Sequence, residues 1–190
     1  MPPSTATAES TDSNTIPALP IRLTSTVVKG FNRGSKDLGI PTANLSRTHC
    51  NQSFDQLPCG IYWGFARIES EPTNLYKSAI SIGYNPTYGN ESKTVEPHFI
   101  ADEGNPARTA SMCGETVLRD FYGEKIWLSV VGYLRAELPF EGLDKLRLAI
   151  KQDIVNSESL CNEYLRDHSD SDDSETSWVL NAAAPDDIVA

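Results

Sequence analysis

Between Arg22 and Leu134 the chain offers one strand-like run after another, with no helix-period segment between them. The runs are Arg22–Lys29, Gly60–Ile68, Tyr76–Tyr84, Thr94–Ile100 and Lys125–Leu134, each short and rich in β-branched or aromatic residues. Parallel neighbours need a crossover of a dozen or more residues, usually a helix, so this spacing forces an antiparallel sheet. Five or six such strands close into a barrel or fold as a sandwich. Glu71-Pro-Thr-Asn links two runs closely enough for a hairpin, and Asn85-Pro86 through Gly89-Asn90 supplies a second reversal. Pro97 has no N–H for a ladder, which places its run at an edge or a strand end.

One helix follows. From Glu141 onward, Leu143, Leu146, Ile150, Ile154, Cys161, Tyr164 and Leu165 recur at three- and four-residue spacings. This apolar side is expected to pack on the sheet. Ala101–Leu118 has no period and contains Gly104, Pro106 and Gly114, so it reads as a long loop, either a lid or disordered. The expected division is a disordered head over 1–20, one β domain with its helix over 21–168, and an acidic, disordered tail over 169–190. In 190 residues no second catalytic domain is expected.

The net charge of −10 is concentrated at one end. Residues 152–190 carry ten acids against Arg166 alone, a net −9, which leaves −1 for the other 151. Nucleic acid or an anionic membrane as main ligand is disfavoured, since both need a basic face. Cys50, Cys59, Cys113 and Cys161 show no C-x-x-C pair and no metal-ligand spacing with His49, His98 or His168, so free thiols are expected. The first twenty residues lack the apolar core of a signal peptide and the arginines of a transit peptide. No run reaches membrane-spanning length. A cytoplasmic monomer, with no membrane insertion, is the expectation.

The stretch Lys29–Asn44, KGFNRGSKDLGIPTAN, stands out from this background. It holds Gly30, Gly34 and Gly39, the cations Lys29, Arg33 and Lys36, and a Pro-Thr-Ala-Asn ending. Glycine lets backbone N–H groups approach an anion closely, so the loop is a candidate phosphate cradle; a plain charged turn is the competing reading. A Walker A loop is excluded: only three residues separate Gly30 from Gly34 where four are needed, the Lys and Ser are inverted, and Pro41 follows instead of a helix.

The whole string resembles the G-F/x-x-R-G-x-x-x-L-G-x-P-T-A-N segment of riboflavin kinases (flavokinases). Gly30, Arg33, Gly34, Leu38, Gly39, Pro41, Thr42, Ala43 and Asn44 match in order. The resemblance extends from about Leu23 to about Ile154, through Asn85-Pro86-Thr87-Tyr88, the Glu-x-His of Glu96 and His98, and Asp120-Phe-Tyr-Gly-Glu. It implies a mainly β fold, a closed six-stranded antiparallel Greek-key barrel with a C-terminal amphipathic helix. It also implies an ATP:riboflavin 5′-phosphotransferase that yields FMN and ADP. None of the histidines lies in an H-x-G-H-type motif, so FAD synthesis is not expected.

Phosphoryl transfer to an alcohol needs a divalent cation on the phosphates, donors around them, and a carboxylate for the hydroxyl proton. From the residues alone Glu96 is one of 26 acids, marked only by apolar Val95 and Phe99 beside it. The resemblance makes it the catalytic base; His98 is read as structural, since a lone histidine is more often a hydrogen-bonded neighbour than a reacting group. It also puts Thr42 and Asn44 at Mg²⁺, with Zn²⁺ or Mn²⁺ as other candidate ions; turn capping is the alternative for both. Gly30, Lys36, Thr42, Asn44, Phe99 and Tyr122 are implied at ATP, although Tyr122 also reads as a core aromatic. Arg135, Leu138 and Phe140 are implied at the flavin, in a Gly132-Tyr-Leu-Arg-Ala-Glu segment where Ala136 replaces the usual proline. The rival reading is a non-catalytic flavin- or nucleotide-binding barrel.

Overall fold

The structure, a computed structural model, describes residues 18–30, 39–84, 92–101, 108–110, 116–169, 171–172 and 174–183. In chain order the strands are β1 Ile21–Val28, β2 Asn44–Leu45, β3 Gly60–Ile68, β4 Tyr76–Tyr84, β5 Lys93–Ile100, β6 Arg108–Ala110, β7 Thr116–Leu118 and β8 Lys125–Arg135. A 3-10 turn at Phe54–Gln56 precedes β3, and the helices α1 Leu143–Asp167 and α2 Glu175–Asn181 follow β8.

Six strands form one sheet in the order β2-β1-β8-β3-β4-β5, every pair antiparallel. Two register shifts between β3 and β8 add residues to β8, which bends the sheet as bulges do. The bend brings the edges β2 and β5 together: the Ala43 N–H donates to the Pro97 carbonyl at 2.9 Å. The barrel is thereby nearly closed. Alternation sends Leu23, Tyr62, Ile68, Ile80, Ile82, Val95, Ile126, Leu128 and Val130 into its interior, all fully buried. Each buried Leu or Ile contributes about 1.5–3 kcal/mol of transfer free energy.

Three expectations need correcting. Ala101–Leu118 is not one long loop: β6 and β7 pair antiparallel with Arg108 opposite Leu118, and three-residue strands are too short to show a period in sequence. The stretch past His168 is not wholly a solvated tail, because α2 lies on the barrel with Val179 fully buried. Its anchor is polar. Glu175 takes the Arg22 guanidinium through Nε and Nη2, both at 3.0 Å, and the Ser129 hydroxyl at 2.6 Å. Arg67 lies 3.7 Å from the Trp127 ring centroid and donates to the Val179 and Ala182 carbonyls, both at 2.7 Å. The third correction concerns part of α1: its apolar side packs on the sheet through Cys161, with Tyr164 and Leu165 beside it, but Asp153 and Ser157 are buried as well and the first leucine is not. Leu143 and Leu148 are 66% and 68% exposed. Asp153 is buried because it receives Arg135 of β8 through both carboxylate oxygens, at 2.7 and 2.5 Å.

Among the described residues Cys50, Cys59 and Cys161 are free thiols, and no helix is long and apolar enough to cross a membrane. Cys113 lies outside the described residues.

Replacing Glu175 by Ala removes the acceptor of the buried Ser129 hydroxyl and the carboxylate that pairs with Arg22. Urea unfolding is expected to show a loss of about 1–3 kcal/mol, and an unchanged midpoint would remove the anchoring role from α2.

Candidate active site

The β2–β5 seam assembles the site. On β5 the residues Val95 and Phe99 point inward, so Thr94, Glu96 and His98 point outward. Across the seam Ala43 and Leu45 are buried, which leaves Thr42 and Asn44 facing the same groove. Thr42 Oγ1 donates to Glu96 Oε2 at 3.2 Å, and Thr94 Oγ1 donates to Glu96 Oε1 at 3.1 Å. Each carboxylate oxygen therefore has a hydroxyl donor, one from β5 itself and one from the segment that leads into β2. The His98 Nδ1–H donates to the Pro41 carbonyl at 2.8 Å, which fixes the Pro-Thr-Ala-Asn segment against β5.

Gly30 is needed here for a steric reason. A Cβ at that position would stand 2.4 Å from Asn44 Nδ2, so the asparagine amide lies directly over the glycine backbone. Lys36, with Arg33 and Gly34, lies outside the described residues, as does Asn85-Pro86-Thr87-Tyr88.

Two clefts open along the groove. One, beside Thr42, is walled by Val27, His98, Phe99, Arg119, Phe121 and Tyr122; the other, beside Asn44, by Lys29, Gly30, Ser46, Arg47, Thr48 and Thr94. The first has an aromatic character. Phe99 is 7% exposed, with its ring edge-on to Tyr76 at 5.7 Å and to Phe121 at 5.1 Å, so it forms the floor and offers little free face. Tyr122 stands at the rim, 37% exposed, with the Lys29 ammonium 5.8 Å from its ring centroid. The second cleft is lined by hydroxyls and two cations.

Arg135, Leu138 and Phe140 stand at the other side of Glu96, where β8 leads into α1. The Arg135 guanidinium is engaged by Asp153 and lies 5.8 Å from the Phe140 ring centroid. Leu138 is 57% exposed. The segment between them crosses the end of β4, since the Glu137 carboxylate rests on Gly83, whose partner in β5 is Thr94. Glu96 thus lies between the aromatic cleft and the β8–α1 segment.

Several contributors carry no signal of their own in sequence. Thr94 is found only by its two-residue offset from Glu96, once the strand is known. Arg119 holds the Asp120–Gly123 turn against the β3–β4 hairpin. It donates to Glu124 at 2.8 Å, to the Ser70 hydroxyl at 2.7 Å and to Glu71 at 3.0 Å. Burial alone would raise the Glu71 carboxyl, but Tyr76, Asn74 and Arg119 outweigh it and hold the group below its ordinary value. Glu124 is likewise lowered: burial opposes, and the Ser70 and Arg119 hydrogen bonds prevail.

The comparisons with known proteins coincide with this geometry. The flavokinase family model, described as riboflavin kinase, matches residues 18–161. The chain belongs to the riboflavin kinase family. A riboflavin kinase of Aspergillus fumigatus is 34% identical over 192 residues, covering 89% of each chain. The human riboflavin kinase is 41% identical over 140 residues, or 72% of this chain and 77% of that one. A bifunctional riboflavin kinase/FMN phosphatase of Arabidopsis thaliana is 39% identical over 74% of this chain, which spans only 33% of that longer protein. Two solved structures share the fold at TM-score 0.53 and 23% identity: riboflavin kinase from Trypanosoma brucei, covering 80% of this chain and 84% of its own, and a macrolide-efflux protein from Streptococcus pneumoniae, covering 73% and 38%.

Because the Glu71 and Glu124 carboxyls sit below their ordinary values, the stability they contribute is present above the usual carboxylate range and lost as pH falls through their lowered values. Arg119→Ala is therefore expected to lower the melting temperature at pH 7 and to cost progressively less as the pH is brought down through the carboxylate range. A deficit that stays constant with pH would count against the ionic clamp.

Proposed function

We propose that Glu96 is the general base of a riboflavin kinase in which ATP lies along the β2–β5 groove and the flavin over the β8–α1 segment. The chain is an enzyme of this family and phosphorylates riboflavin to FMN. The observation that carries the residue roles is the placement of Glu96: its carboxylate is held by Thr42 on one side and Thr94 on the other, between two surfaces suited to two different substrates.

The step follows from that placement. Glu96 accepts the proton of the terminal ribityl hydroxyl as its oxygen forms the new bond to the γ-phosphorus, and the bond from phosphorus to the ADP oxygen breaks. The two threonine hydroxyls fix the carboxylate in orientation, so that no rotamer search is needed when the substrates arrive. Lys29, with Lys36 on the glycine loop, supplies positive charge to the phosphates, and Tyr122 and the Phe99 floor receive the base. Arg135, Leu138 and Phe140 form the flavin surface. In this role Arg135 acts with Asp153, whose ion pair sets the guanidinium plane beside Phe140.

The residues at the seam fit a divalent cation. Thr42 and Asn44 are hard oxygen donors on one face, and a hydroxyl can bind a cation through a lone pair while still donating its proton to Glu96. Among the described residues no group of three or more His, Cys, Asp or Glu is placed to hold an ion. Two neutral protein oxygens plus phosphate and water is an environment suited to Mg²⁺, ahead of Zn²⁺ or Mn²⁺. The cation would neutralise charge on the transferring phosphoryl group.

The same reading takes the barrel as fully closed with Greek-key connections, which the Ala43–Pro97 bond and the position of β1 between β2 and β8 support. It takes residues 21–168 as the catalytic unit, working as a monomer in the cytoplasm.

Purified protein with ATP, Mg²⁺ and riboflavin is expected to yield FMN and ADP, resolved chromatographically. Glu96→Gln should lower kcat by about 10²–10⁴-fold with riboflavin binding retained. Thr42→Val should raise the Mg²⁺ concentration needed for half-maximal rate. Full activity in the glutamine variant would take the base role from Glu96, and flavin binding without any FMN from the native chain would turn the protein into a binding module.

A further inference from the structure

A second carboxylate faces the same groove, and nothing in the reaction above uses it. Glu137 follows β8 by two residues, and its head lies flat on β4 at Gly83. A Cβ added there would stand 2.2 Å from Glu137 Oε1 and 2.6 Å from Oε2. Only glycine leaves this space. In the β4–β5 register Gly83 is opposite Thr94 and Ser81 is opposite Glu96. Paired residues of antiparallel strands share a face, so the outer surface runs from Glu137 on Gly83, past Thr94 and Ser81, to Glu96. Thr94 links the two ends: its hydroxyl lies 3.2 Å from the Gly83 carbonyl and 3.1 Å from Glu96 Oε1.

The Glu137 carboxylate accepts no hydrogen bond and joins no ion pair among the described residues, although Arg135 and Lys93 lie within electrostatic reach. Its surroundings matter to its charge. Burial pushes the carboxyl up, Arg135 pulls it down, the neighbouring Glu96 pushes it up again, and Lys93 opposes. The side chain is exposed, so water is the carboxylate's partner, and a ligand that brings hydroxyls can take the water's place. Glu137 belongs to the β8–α1 segment, over which the flavin is placed, and lies within electrostatic reach of Glu96.

We propose that Glu137 is a specificity-determining residue that receives the internal hydroxyls of the acceptor's polyol chain, while Glu96 alone takes the proton of the terminal one. The inference rests on the riboflavin kinase reading and deepens it. The heterocycle fixes one end of the substrate at Arg135 and Phe140, and Glu96 fixes the other. Glu137 reads what lies between. A site built to bond a hydroxyl rejects an analogue lacking it far more strongly than an apolar site rejects a small change of shape, because an acceptor that the bound analogue covers is left unpaired. Selection for a polyol tail over a plain alkanol tail is the expected consequence.

The test compares riboflavin with a flavin carrying a 5-hydroxypentyl side chain, which keeps the terminal hydroxyl and lacks the three internal ones. Steady-state kcat/KM for both is measured with ATP and Mg²⁺ for the native chain, Glu137→Ala, Glu137→Gln and Gly83→Ala. The native chain should prefer riboflavin strongly. Glu137→Ala should lower kcat/KM for riboflavin by about 10–100-fold, mostly through KM, and lower that for the hydroxypentyl flavin far less, so that the preference collapses. Glu137→Gln, whose amide oxygen still accepts, should keep part of the preference. Gly83→Ala should behave like Glu137→Ala, because the added methyl displaces only the flexible end of the glutamate. Equal losses on both acceptors, or an unaltered preference in Glu137→Ala, would overturn the proposal while leaving the kinase reading intact. No turnover of either flavin by the native chain would instead remove the kinase reading, and this inference with it.

Discussion

The Ala43 N–H to Pro97 carbonyl bond is the contact on which the site depends. Pro97 brings no N–H of its own, so β5 has one ladder donor fewer at that point, and its carbonyl takes the donor from the opposite edge of the sheet. The bond sets the register between two strands that are not neighbours in sequence. With Ala43 and Val95 committed to the interior, the two-residue period leaves Thr42, Asn44, Thr94 and Glu96 no choice of side. Residues 54 positions apart in the chain are thereby brought within hydrogen-bond distance. A slip of one residue in either strand would turn the hydroxyls and the carboxylate into the core.

The location of the groove follows from what covers the rest of the barrel. The outer side of β3, β4 and β8 is taken by the helices, each held by a buried or half-buried charge with a matched partner. Asp153 on α1 receives Arg135, Glu175 on α2 receives Arg22 and Ser129, and Arg67 holds the end of α2 through two carbonyls. Buried charges are tolerable only when paired in this way, and removing one partner leaves the other uncompensated. Among the described residues no helix is anchored over the seam of β2 and β5. Its clefts are the surface proposed for the substrates.

The same pairing has a functional side. Arg135 is both the clamp on α1 and a member of the proposed flavin surface, so the position of the helix and the plane of the guanidinium are set together. Glu71, Arg119 and Glu124 do the equivalent for the opposite wall, fixing the turn that carries Phe121 and Tyr122. Both walls of the groove are therefore held by ion pairs outside it, and its floor by the barrel core.

The five long strands were legible in the sequence nearly to the residue, because runs of eight to eleven alternating β-branched and aromatic residues leave one folding option. So was the family, through the string from Gly30 to Asn44 and the Glu96-x-His98 pair. β2, β6 and β7 were not legible, since two or three residues carry no period. Nor was α2, whose acidic approach reads as solvated until Arg22 and Arg67 are seen to receive it. Part of the buried face of α1 escaped for a related reason: Asp153 and Ser157 look like surface residues in a list, and only the arrival of Arg135 makes the aspartate an interior one. What the sequence determined by itself was local: strand periods, the glycine loop, and which residue types the chemistry has available. What the tertiary structure decided was which of them meet. Such meetings depend on barrel curvature and on charges finding partners across tens of residues, and no local pattern encodes either.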